Sequence, residues 1–66
     1  MNLTVNGKTY SHSADGSIDA LVLEIGAQPD KVAILVNNEI VPRSKRGAVS
    51  LKEGDNVEII TMAGGG

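Results

Sequence analysis

Cysteine is missing from this 66-residue chain, as are phenylalanine and tryptophan, and histidine and tyrosine occur once each. Without cysteine there is no disulfide framework, no thiolate metal site and no thiol nucleophile. Any sulfur chemistry must therefore run through something other than a side chain, since the thioether of methionine is inert. His12 alone cannot furnish a zinc site, and it makes a Ser/His/Asp triad an unpromising reading. No catalytic side chain and no metal ligand is assigned. With Tyr10 the sole aromatic, the core must be aliphatic, and stacking on single-stranded bases is almost out of reach. Positive charge is also scarce: the formal net charge is −2, whereas nucleic-acid affinity comes from Lys and Arg neutralising phosphates. No apolar run approaches the roughly 20 residues that span a bilayer, and no signal-peptide pattern opens the chain. The expectation is a soluble cytoplasmic protein that contacts neither nucleic acid nor membrane. A single domain of this size buries only about 60% of its unfolded surface, so its packing must be efficient.

What is present is strong local punctuation. In "NLTVNGKTYS" Leu3 and Val5 alternate with polar neighbours, and Asn6-Gly7 is the dipeptide of a type I′ turn, so residues 2–11 read as a hairpin. His12 follows as an exposed residue at the strand end. In "SADGSIDALVLEIGAQPD" Ser17 is an N-cap, Asp19 lies where the helix dipole favours an anion, and Gly26 is a C′ residue. Ile18, Leu21, Val22 and Ile25 fall at i, i+3, i+4 and i+7, one apolar stripe facing a sheet. Pro29 stops the helix from resuming. Val32 to Val36 is a short, continuous, β-branched run, which is the pattern of a central strand. Asn37-Asn38 turns the chain into a short strand, Glu39 to Val41, ended by Pro42. "RSKRGAVSLKEGDN" reads mostly as loop. It carries the cations Arg43, Lys45 and Arg46, a short strand over Ala48 to Leu51 and a Gly54-Asp55 turn. "VEIITM" is the last strand. One helix on one face of a four- or five-stranded mixed sheet is an α+β layer architecture.

Alternation along the last strand puts Val57, Ile59 and Thr61 on one face and Glu58, Ile60 and Met62 on the other. A glutamate does not suit an aliphatic core, so the first set faces the helix and Ile60 and Met62 lie on the open face. Methionine is favoured on adaptable contact surfaces, and Ile60 and Met62 are read as a docking surface. The cationic cluster has two readings, solvated charge or a partner contact; it has no glycine-rich loop opening a helix, as a phosphate site would need. After Met62 the sequence runs Ala63-Gly64-Gly65-Gly66. Three glycines cost backbone entropy and add no packing. Read by themselves they are a frayed end. The domain is accordingly placed at residues 1–62 and a flexible glycine tail at 63–66.

The order strand–strand–helix–strand–strand–strand, "NNEIVPR" in the middle, "GDNVEII" near the end and a final Gly-Gly together resemble the ubiquitin-like β-grasp proteins. Among these the chain is most similar to the sulfur carriers of thiamin biosynthesis, the ThiS family, and the resemblance covers essentially its whole length. One departure stands out. Many relatives carry an aromatic shortly after the proline-arginine pair, where this chain has Ser44-Lys45-Arg46-Gly47.

The resemblance implies that an activating adenylyltransferase of the ubiquitin-activating type uses Mg-ATP to adenylate the Gly66 carboxylate, the carrier binding no cofactor itself. It implies a sulfur donor protein that converts the acyl-adenylate to a thiocarboxylate, and a thiazole synthase that receives the sulfur. Gly66 is then the attachment point, Gly64 and Gly65 thread the tail, and Ile60, Met62 and Arg43 dock on partners. The carrier is a co-substrate, not an enzyme. A carboxylate with a pKa near 3.5 is ionised and unreactive at neutral pH, and adenylation makes it an electrophile. Four extended residues from Ala63 reach roughly 13 Å into a partner's site. The same fold and tail also suit the small subunit of molybdopterin synthase or another thiocarboxylate carrier. A protein modifier and a non-catalytic β-grasp binding module are further alternatives.

Overall fold

Turn chemistry does much of the local work in the computed structural model, which describes residues 1–13 and 16–62. Its elements are β1 (Asn2–Val5), β2 (Lys8–Ser11), α1 (Ile18–Glu24), a short 3-10 helix (Pro29–Lys31), β3 (Val32–Val36), β4 (Glu39–Ile40), a second 3-10 helix (Arg43–Ala48) and β5 (Asn56–Thr61). The strands form one five-stranded sheet in the order β2-β1-β5-β3-β4. β5 runs parallel to β1 and antiparallel to β3, and both hairpins are antiparallel. This is the ubiquitin-like β-grasp: a mixed sheet with one helix on one face. The tail expected over residues 63–66, and with it the boundary after residue 62, lies outside the described residues.

Both hairpins turn on two residues with positive φ, Asn6 and Gly7 at 51° and 83°, Asn37 and Asn38 at 52° and 70°. That is the backbone a type I′ turn requires. Two of the turn asparagines, Asn6 and Asn37, also brace the central strand. Asn6 Oδ1 accepts from Ile59 N–H at 2.8 Å and its Nδ2 donates to Ile59 O at 3.2 Å, so this side chain prolongs the β1–β5 ladder. Asn37 Oδ1 accepts from Asn56 N–H at 3.0 Å on the other side of β5. Ser17 caps α1 by accepting from Ala20 N–H at 3.2 Å. Gly26, at φ 87°, ends the helix with its N–H on Leu23 O.

The core lies between α1 and the sheet. Ile18, Leu21 and Val22 from the helix meet Leu3, Ile34 and Val57 from three strands, each of the six no more than 1% exposed. Burying side chains of this kind stabilises the fold by about 1.5–3 kcal/mol each, against the entropy of ordering them. Ile25, assigned by spacing to the same stripe, caps the helix C-terminus and is 36% exposed. β3 is an interior strand, as its composition suggests.

Three expectations are corrected. His12 is buried, not exposed. Leu3 pairs with Tyr10, and His12 N–H still donates to Met1 O at 2.8 Å, so the ladder runs one residue past the strand. Alternation then turns His12 to the same inward side as Tyr10. The segment read as loop after Pro42 forms the second 3-10 helix, in which Lys45 N–H donates to Pro42 O. Within it Arg46 is buried, while Arg43 and Lys45 stay exposed. The strand expected at Ala48 to Leu51 shrinks to a single bridge, Ser17 with Ser50.

Candidate docking surface

Register decides which side chains share the uncovered face of the sheet. Ala33 stands opposite Ile60, Leu35 opposite Glu58 and Ile40 opposite Leu35, and directly opposed residues lie on the same face. Ile60, Met62 and Ile40 are 52%, 51% and 67% exposed, with Ala33 and Leu35 half-buried among them. The β3–β4 half of the open face is therefore apolar. Its β1–β2 half presents Thr4, Thr9 and Ser11, all polar. Ile60 and Met62 lie where alternation placed them. Ile40 joins them through the pairing of β4 with β3, a partner that no pattern within "EIV" could supply.

At the margin of the apolar half is a depression of about 220 Å³ between Ile40, Pro42, Arg43, Arg46 and Met62. Arg43 is exposed there and pairs with Asp30. A solvated pair of this kind contributes about 0–1 kcal/mol to stability, which leaves the guanidinium free to exchange partners. β5 ends beside this depression. Met62 N–H donates to Lys31 O at 2.9 Å, continuing the β3–β5 ladder past Thr61. Gly64, Gly65 and Gly66 lie outside the described residues.

A second polar cluster sits at the opposite, β2 edge. Tyr10 Oη–H donates to Glu24 Oε1 at 2.9 Å and Ser13 Oγ–H to Glu24 Oε2 at 2.8 Å. His12 Nδ1 stands 3.2 Å from Oε2 as an ion-pair neighbour, but neither ring nitrogen makes a well-aligned hydrogen bond. The Ser13 and Tyr10 bonds, with His12 adding less, hold the Glu24 carboxyl down at about 2. The same carboxylate pushes the Tyr10 hydroxyl upward, first through their hydrogen bond. Among the described residues no three of His, Asp and Glu are grouped to hold a metal ion, and no helix is long and apolar enough to cross a membrane.

Comparison with known proteins matches residues 3–66 to the ThiS family. The crystal structure of a thiamine biosynthesis protein (ThiS) from Geobacter metallireducens is similar over the whole of both chains, with a TM-score of 0.80 and 35% identity. The thiazole synthase of Paramagnetospirillum magneticum is 41% identical over all 66 residues, and that of Magnetococcus marinus 35%. The chain spans 20% of the length of each of these two thiazole synthases.

Proposed function

The chain belongs to the ThiS family, and from that premise we propose that it is a sulfur carrier in thiamin synthesis, its sulfur held as a thiocarboxylate on Gly66. The observation that carries this reading is the family match, which runs through all three final glycines. A carboxylate oxygen of Gly66 attacks the α-phosphorus of ATP; the new P–O bond forms as pyrophosphate leaves. With hydrosulfide as the sulfur nucleophile, a C–S bond then forms at the acyl carbon and the bond to AMP breaks. The magnesium and ATP belong to the adenylyltransferase, and the sulfur comes from a donor protein. Chemistry of this kind needs the carrier's backbone, not its side chains. That fits a chain without cysteine, whose glycines have no Cβ to obstruct a narrow channel.

A thiazole synthase is the proposed acceptor. Its support is the pair of thiazole synthases that contain a stretch like this chain within a protein five times as long. Docking on the adenylyltransferase and on the acceptor is assigned to Ile60, Met62 and Arg43. The two apolar residues supply area and the arginine a charge that can leave Asp30 for a partner's carboxylate.

Adding one alanine after Gly66 tests the reading. The elongated protein keeps the wild-type melting temperature and gives no ATP–pyrophosphate exchange with the adenylyltransferase. Adenylation of the elongated protein at the normal rate would sink the proposal. On the native protein, replacing one oxygen by sulfur adds about 16 Da, nearly the mass of a methionine oxidation, so fragmentation must place the shift on Gly66.

A further inference from the structure

Arg46 is the only Lys or Arg that the described structure buries, at 7% exposure. Its Nη1 donates to Pro29 O and its Nη2 to Val32 O, both at 2.7 Å. Val32 O would otherwise lack a strand donor. Ile34 O accepts from Val41 N–H at 2.9 Å, and carbonyls two residues apart along a strand face the same edge. Past Val41 the chain meets Pro42, which has no N–H, and turns away into the second 3-10 helix. The guanidinium supplies the donor that a longer β4 would have provided.

Lys31 lies between these clamped residues, and its carbonyl is the one that receives Met62 N–H. Asp30, also in the Pro29–Lys31 turn, pairs with Arg43. The turn therefore ties both arginines of the second 3-10 helix to the end of β5. An apolar side chain of similar length would fill the same space without desolvating a charge, and Arg46 Nε is left with no partner. What the cation adds over such a side chain is two directed bonds.

We infer that Arg46 is a positioning residue: its clamp on Pro29 and Val32 holds Lys31 O in place, and so fixes the Met62 amide at the end of the β3–β5 ladder. The consequence for activation rests on the reading of Gly66 as the reacting residue. A Met62 amide released from Lys31 O would present the following residues to the adenylyltransferase off line, while the docking side chains remain intact.

Arg46→Met removes both donors at nearly constant length, and Arg46→Lys keeps the charge and some donor capacity. Amide hydrogen exchange reads the clamp without any enzyme. Protection at Met62 falls about tenfold or more in Arg46→Met while Ile59 keeps its own, because the opening is local, and Arg46→Lys lies between. In ATP–pyrophosphate exchange, kcat for Arg46→Met falls roughly tenfold with KM within about twofold, the signature of misplacement and not of lost binding. Unchanged Met62 protection overturns the inference, as does equal loss at Met62 and Ile59, which would mark a merely structural residue. If Arg46→Met does not fold, the same comparison on Arg46→Lys decides. If the wild type supports no exchange at all, the carrier reading fails, and the Met62 amide still decides the clamp.

Discussion

Val57 and Ile59 point from β5 into the core and are 0% and 8% exposed, whereas Ile60 and Met62, on the other side of the same strand, are 52% and 51% exposed. A strand with a period of two can line a core with one side and leave an apolar face open on the other. Because the strand is central, flanked by β1 and β3, its backbone is held on both sides, and the outward side chains need contribute nothing to folding. The contrast teaches that adjacent residues of one strand divide between the buried core and the open face to which partner docking is assigned by proposal.

The sharpest way to break that contrast is one substitution made twice. Ile59→Ala is expected to cost about 2–5 kcal/mol in urea denaturation, a large share of what so small a domain has. Ile60→Ala should stay within about 0.5 kcal/mol. Equal costs would mean that the two faces have been misread. The next largest effect is on binding: Ile60→Asp weakens titrated affinity for the adenylyltransferase by about tenfold or more, equivalent to about 1.4 kcal/mol, with the melting temperature held. An unfolded Ile60→Asp, or a folded one that binds normally, removes this face from the docking surface.

A smaller effect comes from the β2 edge, away from the apolar half-sheet. The Glu24 carboxyl is held down to about 2 from an ordinary 4.5 by Ser13, Tyr10 and His12. A depressed carboxyl contributes stability that is fully present above the unfolded value and lost as pH falls toward the folded one. Melting temperatures of the wild type and Glu24→Gln should therefore differ above about pH 4.5 and converge between that pH and about 2. A gap that does not change with pH would show that the Ser13–Tyr10–His12 cluster does not act through charge.

How far the sequence could be read varied by residue, and the reason is consistent. Asn6-Gly7, Ser17 and Gly26 act within a few positions of themselves, through φ and a single capping bond, so the hairpin and the helix were visible. The open-face placement of Ile60 and Met62 needed only alternation and the assumption that Glu58 avoids an aliphatic core. His12 was misread because, although β2 ends at Ser11 as read, the ladder to β1 runs one residue further. The inward position two places after Tyr10 was a signal that could have found it. Arg46 was misread for a different reason: its partners are carbonyls 14 and 17 residues away, and no charge pattern announces a backbone acceptor.

The sequence by itself determined the first hairpin, the helix, the three later strands, their order and an aliphatic core. Tertiary structure alone decided that the last strand enters between the first and the third, that Ile40 joins Ile60 and Met62 on one face, and that Arg46 gives Val32 O the donor a longer β4 would have supplied. Turn and helix signals are local, because a dihedral angle or a cap involves a few neighbouring residues. Strand order and the partner of a buried cation depend on hydrogen bonds between segments far apart in the chain, which exist only once the sheet has closed.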